Sequence, residues 1–267
     1  MGIGKKVCAV GFCCVDVYTD LKKFYPTGNG IDWGIHLARM GVEVSAVSVV
    51  GTDVYGEKMK KTLSAEGIDI SHLRTEVGDT CIMLMGLKNG TDRVHLEEVE
   101  GVMADYKLTE EEFEFVKRHD LLHTDLFGNV LDHLKAWHDA GVEIVMDFSV
   151  FSRDPEYHCE DYFPYVDYVF MSYDGPLEPT QEWLAYVHSF GPKIVTATRG
   201  EDGSVSYDGK NYYEHGIIPC EVVNTVGAGD SYIAGFTYGL LNGEDIPHCQ
   251  RRGAELSSKI ITKFEPY

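Results

Sequence analysis

The sequence has little positive charge and no long hydrophobic run. Its 23 basic residues stand against 43 acidic ones, which gives a formal charge of −20. Binding to a nucleic-acid backbone needs a basic surface, so we expect no nucleic-acid partner. No stretch reaches the ~18 apolar residues of a membrane span, and residues 1–6 lead into a strand-like run without a signal-peptide cleavage site. We therefore expect a cytoplasmic protein without a membrane partner.

The sequence also lacks paired cysteines. Its seven cysteines lie at positions 8, 13, 14, 81, 159, 220 and 249, and no two of them form a Cys-x-x-Cys motif. An odd number of scattered cysteines, mostly in apolar surroundings, is typical of reduced thiols in a core rather than of disulfides or a zinc site. This pattern favours a reducing compartment.

What the sequence does have is a regular alternation of strand and helix patterns. Apolar runs predict buried strands at residues 7–17, 42–50, 121–124, 142–148, 168–171 and 193–198. Helical patterns occur at residues 29–40, 56–66, 109–118, 130–140, 180–190, 228–241 and about 247–261. Strands that alternate with such helices predict an α/β fold with a parallel sheet covered on both faces. No Pro-rich linker divides the chain, so we expect a single domain over residues 1–267.

Two segments interrupt this alternation with hairpin patterns. Extended runs at residues 81–87 and 93–99 flank Asn89-Gly90, and runs at 204–207 and 212–215 flank Asp208-Gly209. Asn-Gly and Asp-Gly between extended runs are strong hairpin signals. A hairpin near position 90 does not fit a parallel sheet. We therefore predict a small antiparallel lid built from about 15–24 and 80–100.

The strongest chemical signal lies at residues 224–230, Asn-Thr-Val-Gly-Ala-Gly-Asp, which lead into an apolar helix. Gly-Ala-Gly at a helix start leaves backbone N–H groups free to face an anion, and the helix dipole adds partial positive charge there. Asp230 in the first turn would then lie beside that anion and could accept a proton from a hydroxyl that attacks a phosphoryl group. The alternative is an ordinary glycine turn with Asp230 as a capping residue. The spacing alone leaves both open.

Residues 224–230 resemble the C-terminal signature of the ribokinase family of carbohydrate kinases, also called the phosphofructokinase-B family. Three other segments resemble that family in the same order along the chain, at residues 27–32 (Thr-Gly-Asn-Gly-Ile-Asp), 50–56 and 198–203. The resemblance implies a ribokinase-like three-layer αβα fold, with a mostly parallel central sheet and a small antiparallel β lid. Within the family, residues 67–72 and 101–105 are most similar to the fructoselysine 6-kinase branch.

The resemblance also implies roles for individual residues. Asp230 would be the general base, and the N–H groups of Gly227, Ala228 and Gly229 would form an anion hole. The implied substrate-binding residues are Asp16, Gly28, Asn29, Asp32, Arg93 and Asp230. The implied nucleotide-binding residues are Thr198, Gly200, Gly203, Asn224, Gly227 and Gly229.

Some residues depart from the family pattern. Thr27 replaces a glycine, Asp32 stands where the family has Asn, and Asn224 stands where Asp is common. The family's Asn-x-x-Glu motif, associated with Mg²⁺, should fall near residues 172–175 and is not intact. Asp174 or Glu178 could take its place, or Mg²⁺ could be held through water and phosphates. The metal ligands therefore remain unassigned.

The resemblance implies a kinase that uses ATP and Mg²⁺ to phosphorylate a primary hydroxyl of a sugar or sugar-amine. The resemblance to that branch makes fructoselysine the preferred substrate, with fructoselysine 6-phosphate as the product. An ammonium group on such a substrate would neutralise the carboxylate of Asp32; the alternative is that Asp32 pairs with a nearby protein cation or points to water. The alternatives are a ribokinase- or fructokinase-like enzyme acting on a plain sugar or nucleoside, and a catalytically silent relative.

An unpaired edge strand of the lid would favour a homodimer. We expect Tyr157, Tyr162, Tyr165 and Tyr168 to be packing residues.

Overall fold

The computed structural model describes residues 4–88, 92–173 and 175–267. Within these residues, the strands are β1 (Lys6–Val10), β2 (Cys14–Tyr18), β3 (Lys23–Thr27), β4 (Glu43–Gly51), β5 (Asp69–Glu76), β6 (Ile82–Lys88), β7 (Asp92–Val99), β8 (Leu121–Asp125), β9 (Glu143–Asp147), β10 (Tyr168–Ser172), β11 (Ile194–Thr198), β12 (Ser204–Tyr207) and β13 (Tyr212–His215). The α-helices are α1 (Asn29–Arg39), α2 (Val54–Ala65), α3 (Glu110–Val116), α4 (Leu134–Asp139), α5 (Leu177–His188), α6 (Ala228–Leu241) and α7 (Ile246–Ile260).

Nine strands form the central sheet, in the order β13-β12-β11-β10-β9-β8-β1-β4-β5. The seven strands from β11 to β5 are parallel to their neighbours, and the hairpin of β12 and β13 adds an antiparallel edge. The predicted mostly parallel sheet is confirmed.

Helices cover both faces of this sheet, because consecutive side chains of a buried strand point to opposite sides. In β1, Cys8 packs in the hydrophobic cluster that contains residues of α3, α4 and α5. Its neighbours Val7 and Ala9 pack in a second cluster, with residues of α1, α2, α6 and α7. The arrangement is the predicted three-layer αβα fold. None of the helices in the described ranges combines the length and apolar content that a bilayer crossing needs.

A separate four-stranded sheet has the order β3-β2-β6-β7. The pairs β2/β3 and β6/β7 are antiparallel, as predicted for the lid, and a parallel contact between β2 and β6 joins them. The predicted turn at Asn89-Gly90 lies outside the described residues. The register places Asp16, Met83 and Glu98 in one row on one face of this small sheet.

The apolar run at residues 7–17 is not one continuous strand, and its end belongs to the small sheet, in line with the predicted lid from about residue 15. The run divides into β1 of the central sheet and β2 of the small sheet, with a bend at Gly11. Gly11 has a φ of +105°, and a Cβ there would lie 2.8 Å from the Cα of Gly128. This close approach of two backbones forces the chain out of the central sheet. Strands β3 and β5 were also not predicted as separate strands, although part of β3 falls within the predicted lid.

Candidate active site

A cleft of about 1150 Å³ lies along the carboxyl ends of the parallel strands. Its wall includes Asp147, Ser172 and Thr198, which end β9, β10 and β11. From the small sheet, the lining residues are Met83, Arg93, His95, Leu96, Glu97 and Glu98. Clefts at this edge of an open parallel sheet are the usual binding sites of α/β proteins.

The glycine turn before α6 brings Asp230 to this cleft. Gly227 has a φ of +72° in the left-handed region, and a Cβ there would lie 2.5 Å from the carbonyl oxygen of Pro266. Ala228, Gly229 and Asp230 line the cleft in the first turn of the helix. Because the first N–H groups of a helix have no intrahelical acceptor, this turn can bind an anion.

Not all three predicted anion-hole groups are free. The N–H of Ala228 donates to the carbonyl of Thr225 at 3.3 Å. Within the described part of the chain, the N–H groups of Gly227 and Gly229 donate to no protein acceptor. Two of the three predicted donors are therefore free of protein acceptors; of these two, Gly229 lines the cleft and Gly227 does not.

Two buried carboxylates lie near the start of α6. Asp230 is 9% exposed, and burial raises its pKa; Arg93 opposes this shift, while Asp147 and Asp16 add to it. Burial also raises the pKa of Asp16 in β2 to about 7, again against the positive charge of Arg93. Both carboxyl groups can therefore change protonation state near neutral pH.

Asn29 is held by a residue that the sequence analysis did not identify. Its Nδ2 donates to Asp147 Oδ2 at 3.0 Å, and Asp147 Oδ1 accepts from the N–H of Ser149 at 2.8 Å. The available signal was a polar residue in the predicted strand 142–148, close to its carboxyl end. Gly28 precedes Asn29 with a φ of +133°, and a Cβ there would lie 2.7 Å from the carbonyl oxygen of Phe12.

Asp32 is 1% exposed in the first turn of α1. Its Oδ2 accepts a hydrogen bond from the hydroxyl of Thr27 at 2.6 Å. Among the described residues, Oδ1 has no hydrogen-bond partner. Burial raises the pKa of Asp32 well above its usual range, and the negative charges of Asp230 and Asp16 act in the same direction.

On the predicted nucleotide side, Thr198, Gly200 and Gly203 line the cleft. Asn224 does not: it is buried, its Nδ2 donates to the carbonyl of Phe264 at 3.0 Å, and its Oδ1 accepts from the N–H of Val226 at 3.1 Å. Its amide therefore supports the glycine turn from behind.

Several other predicted site residues also lie behind the cleft wall rather than on it. They are Asp16, Gly28, Asp32 and Gly227.

Residues 261–267 run between the glycine turn and the small sheet. The hydroxyl of Tyr267 donates to the carbonyl of Pro26 in β3 at 2.9 Å, and the hydroxyl of Tyr25 donates to Glu265 at 3.4 Å. The neighbouring carbonyls of Pro266 and Phe264 contact the Gly227 turn and Asn224, respectively. This segment therefore connects the glycine turn before α6 to the small sheet.

Arg93 is the cation that acts on the carboxylates of this region. Its side chain is exposed on β7, and its backbone N–H donates to the Thr225 hydroxyl at 3.4 Å. Its positive charge opposes the raised pKa of four carboxyl groups, those of Asp16, Asp32, Asp147 and Asp230. One positive charge therefore acts on four carboxyl groups in this region of the structure.

The described residues provide no cluster of side chains that could coordinate a metal ion by itself. Across them, no group of three or more His, Cys, Asp or Glu side chains is arranged to hold one. Asp174 lies outside the described residues. Glu178 is exposed in the first turn of α5 and does not line the cleft.

Comparison with known proteins agrees with this geometry. The model of the pfkB family of carbohydrate kinases matches residues 5–267. The fructoselysine 6-kinase of Shigella flexneri is 33% identical over 257 residues, which cover 96% of this chain and 97% of that protein. The fructosamine kinase of Bacillus subtilis (strain 168) is 31% identical over 258 residues, covering 95% and 90%.

Among solved structures, the ribokinase of Arabidopsis thaliana complexed with ribose and ATP superimposes with a TM-score of 0.82. The match covers 98% of this chain and 94% of that one, at 18% sequence identity. At this identity the likeness shows the shared ribokinase-like fold.

Proposed function

The chain belongs to the pfkB family of carbohydrate kinases, and we propose that its acceptor is fructoselysine or a closely related fructosamine, phosphorylated at the 6-hydroxyl. Two relatives that are more than 30% identical and align over nearly the whole chain carry the names fructoselysine 6-kinase and fructosamine kinase. The general activity, phosphoryl transfer to a sugar hydroxyl, follows from the family; the identity of the sugar is the proposal.

The observation that carries the substrate proposal is the charge imbalance at the sugar end of the cleft. Four carboxyl groups have a raised pKa there, and Arg93 is the cation that opposes all four shifts. A protonated amine on the substrate would stabilise the ionised carboxylates, which otherwise bind protons. A plain sugar such as ribose or fructose brings no such charge.

In this proposal Asp230 accepts the proton of the acceptor hydroxyl while that oxygen attacks the γ-phosphorus of ATP and the bond to ADP breaks. Burial supports this role because it brings the pKa of Asp230 towards the working pH of a general base. The N–H groups of Gly227 and Gly229 would stabilise negative charge on the transferred group. Asn29 and Asp147 would bind sugar hydroxyls.

For the nucleotide we propose the region of Thr198, Gly200 and Gly203, which line the cleft at the end of β11. Mg²⁺ would be held mainly by the triphosphate and water, as is common for this ion, since the described residues offer no cluster of protein ligands for it.

We propose that the enzyme works in the cytoplasm, because ATP is available there and the six buried free cysteines remain reduced.

We further propose that residues 1–267 act as one kinase domain and that the small sheet, about 15–24 and 80–100, is its lid. Within the described residues, β7 pairs only with β6 and leaves an open edge, where Leu96 is 65% exposed. Such an edge favours pairing with a second copy, so a homodimer through the lid is part of the proposal. Sedimentation that finds only monomer at assay concentrations would contradict it.

The test of the substrate proposal is an ADP-release assay with ATP and Mg²⁺ over ribose, fructose, adenosine, fructoselysine and shorter sugar-amines. We expect the highest kcat/KM for fructoselysine and a product phosphorylated at C6 by NMR. Asp230→Asn, purified in parallel, controls for contaminating kinases. A preference for ribose, fructose or adenosine would instead assign a plain-sugar or nucleoside kinase, and absence of turnover with all acceptors would indicate a silent relative.

A further inference from the structure

Four aromatic side chains form a continuous surface at the sugar end of the cleft. This aromatic cluster consists of Phe12, Phe127, Phe151 and Tyr157, all of which line the cleft. The ring centroids of Phe12 and Phe127 are 6.1 Å apart, those of Phe127 and Phe151 are 5.7 Å apart, and those of Phe151 and Tyr157 are 4.5 Å apart. Tyr157 therefore has a face on the cleft as well as the packing role expected from the sequence.

The backbone fixes this cluster beside the predicted sugar contacts. The N–H of Phe127 donates to Asp125 Oδ1 at 2.7 Å just after β8. One strand further, Asp147 accepts from Ser149 in the same way, and Asp147 also holds Asn29.

Phe12 is placed by contacts of its own. The Phe12 carbonyl lies against Gly28, which precedes Asn29, and the adjacent Gly11 lies against Gly128. The rings are thus held next to the residues proposed to bind the sugar.

The position of the cluster separates it from the nucleotide. Its residues follow β1, β8 and β9, whereas Thr198 and Gly200 follow β11. In the sheet order, β11 is two strands from β9 and four strands from β1, and neighbouring strands are about 4.8 Å apart. An adenine bound near Thr198 would therefore lie too far away to be the expected ligand of this aromatic cluster.

The hydroxyl groups of a sugar ring need polar partners, so we expect the aromatic surface to contact a different part of the acceptor. Phe127 is 36% exposed. Aromatic faces bind methylene chains and attract ammonium groups. Two carboxylates of the small sheet, Glu97 and Glu98, line the same cleft and add negative charge.

We propose that the aromatic cluster is the subsite for the substituent on the acceptor's amine, which in fructoselysine is a methylene chain that ends in a carbon bearing an ammonium and a carboxylate group. This inference rests on the proposed function, because a plain sugar has no such substituent. The cluster would make the enzyme selective for the amine-linked side chain without taking part in phosphoryl transfer.

The test compares Phe127→Ala and Phe127→Leu with wild type on three acceptors: fructose, the fructosamine of methylamine, and fructoselysine. Phe24→Ala is the matched control, because Phe24 is 37% exposed on the small sheet and does not line the cleft. We expect Phe127→Ala to raise KM for fructoselysine about 10-fold and to leave kcat, and the KM values for ATP and the methylamine adduct, within about two-fold. Phe127→Leu, which keeps apolar volume but loses the ring, should give an intermediate effect and controls for misfolding.

Two results would overturn the subsite while leaving the proposed function intact. Equal loss on fructoselysine and on the methylamine adduct would show that Phe127 supports the fold or the sugar ring. A raised KM for ATP alone would assign the cluster to the nucleotide. A wild-type enzyme that phosphorylates fructose but neither fructosamine would instead overturn the proposed function, and the subsite with it.

Discussion

The hydroxyl of Thr27 donates a 2.6 Å hydrogen bond to Asp32, so the two positions at which this chain departs from the family pattern near the proposed sugar site are partners. Thr27 stands in place of a glycine and Asp32 in place of an amide. Neither a lysine nor an arginine pairs with Asp32 among the described residues. A neutral hydroxyl therefore satisfies one oxygen of this buried carboxyl group, and the other oxygen has no hydrogen-bond partner among the described residues.

We predict that Asp32→Asn lowers kcat/KM for fructoselysine by about 10-fold, or about 1.4 kcal/mol, because a substrate ammonium group would lose a carboxylate partner. Fructose should be spared or improved. Steady-state kinetics with both acceptors measures the difference, and Thr27→Val is the matched variant that removes the hydrogen bond but keeps the acid. Equal losses on both acceptors would show that Asp32 serves the sugar ring or the fold.

Asp230→Asn should keep the fold and nucleotide affinity but lower kcat by roughly 10²–10⁴-fold, the range for loss of a general base. Turnover is measured by ADP release, and nucleotide affinity by titration calorimetry. Asp132→Asn is a suitable control, because Asp132 is an exposed carboxylate in the first turn of a helical segment away from the cleft. Wild-type turnover in Asp230→Asn would exclude the assignment.

The two glycines of the proposed anion-binding turn, Gly227 and Gly229, should respond differently to substitution by alanine. Gly227→Ala forces an alanine into the left-handed backbone conformation and places its Cβ against the Pro266 carbonyl. We therefore expect the free energy of unfolding to fall by about 1–3 kcal/mol. At Gly229 a Cβ meets nothing within 4 Å, and alanine should be neutral or stabilising by up to about 1 kcal/mol.

The Gly229 methyl group would nevertheless project from a residue that lines the cleft. We therefore expect Gly229→Ala to retain its melting temperature and lose activity, because the methyl group would crowd the transferred phosphoryl group. Thermal denaturation and ADP release on the same samples separate the two effects. Full activity in Gly229→Ala would argue against an anion at this turn.

Arg93→Ala should raise KM or lower kcat with little change in melting temperature, because the Arg93 side chain is exposed. It should also move the acidic limb of the pH–rate profile to higher pH. Arg93 opposes the raised pKa of Asp230 and Asp16, so its removal raises both pKa values further and the base is deprotonated only at higher pH. Arg251→Ala, at an exposed pair with Glu255, is the control. A large loss of stability with unchanged kinetics would make Arg93 a structural residue.

The substrate-free protein should lose stability as the pH rises from about 6.5 to 7.5, and the loss should level off above that range. Burial raises the pKa of Asp16 and of Asp125 to about 7, so the folded state holds protons that the unfolded chain has already released. Burial lowers the pKa of His36 to about 4 and that of His123 to about 3, which has the opposite effect, but only below about pH 6.5.

Melting temperatures over that pH range measure this effect, and the fall should be smaller in Asp16→Asn. Asp20→Asn, which changes an exposed carboxylate four residues further along, should behave as wild type. Identical pH dependence in wild type and Asp16→Asn would show that the pKa of Asp16 is not raised by folding.

Much of the central fold could be predicted because its elements carry local signals. The bounds of α6 and of the β12/β13 hairpin agree with the sequence prediction, since an apolar helix after Gly-Ala-Gly and extended runs around Asp-Gly are local patterns. The lid prediction already assigned residues from about 15 onwards to the small sheet, but the position of the bend at Gly11 could not be predicted, because it depends on Gly128, which is distant in sequence. The edge strand β5 is partly exposed and rich in charge, so it lacks the apolar run of a buried strand.

The site was predicted where a motif marks it and missed where only the fold brings residues together. Asp230 and Asn29 lie in recognisable segments. Asp147 and the aromatic cluster come from the ends of different strands, and no local spacing relates them to Asn29. Asn224 was assigned to the nucleotide from its place in the motif, whereas its contacts with Phe264 and Val226 turn it away from the cleft.

The segment at residues 261–267 has a consequence for how activity appears during folding. Tyr267 contacts Pro26 across a sequence separation of 241 residues, and Glu265 contacts Tyr25 across 240. Contacts that close such long loops carry a high entropic cost and form late. Because the same segment supports the turn beside Asp230, a refolding chain should regain its helical circular dichroism before it can transfer a phosphoryl group. Recovery of catalysis would then report the last step of folding rather than the first.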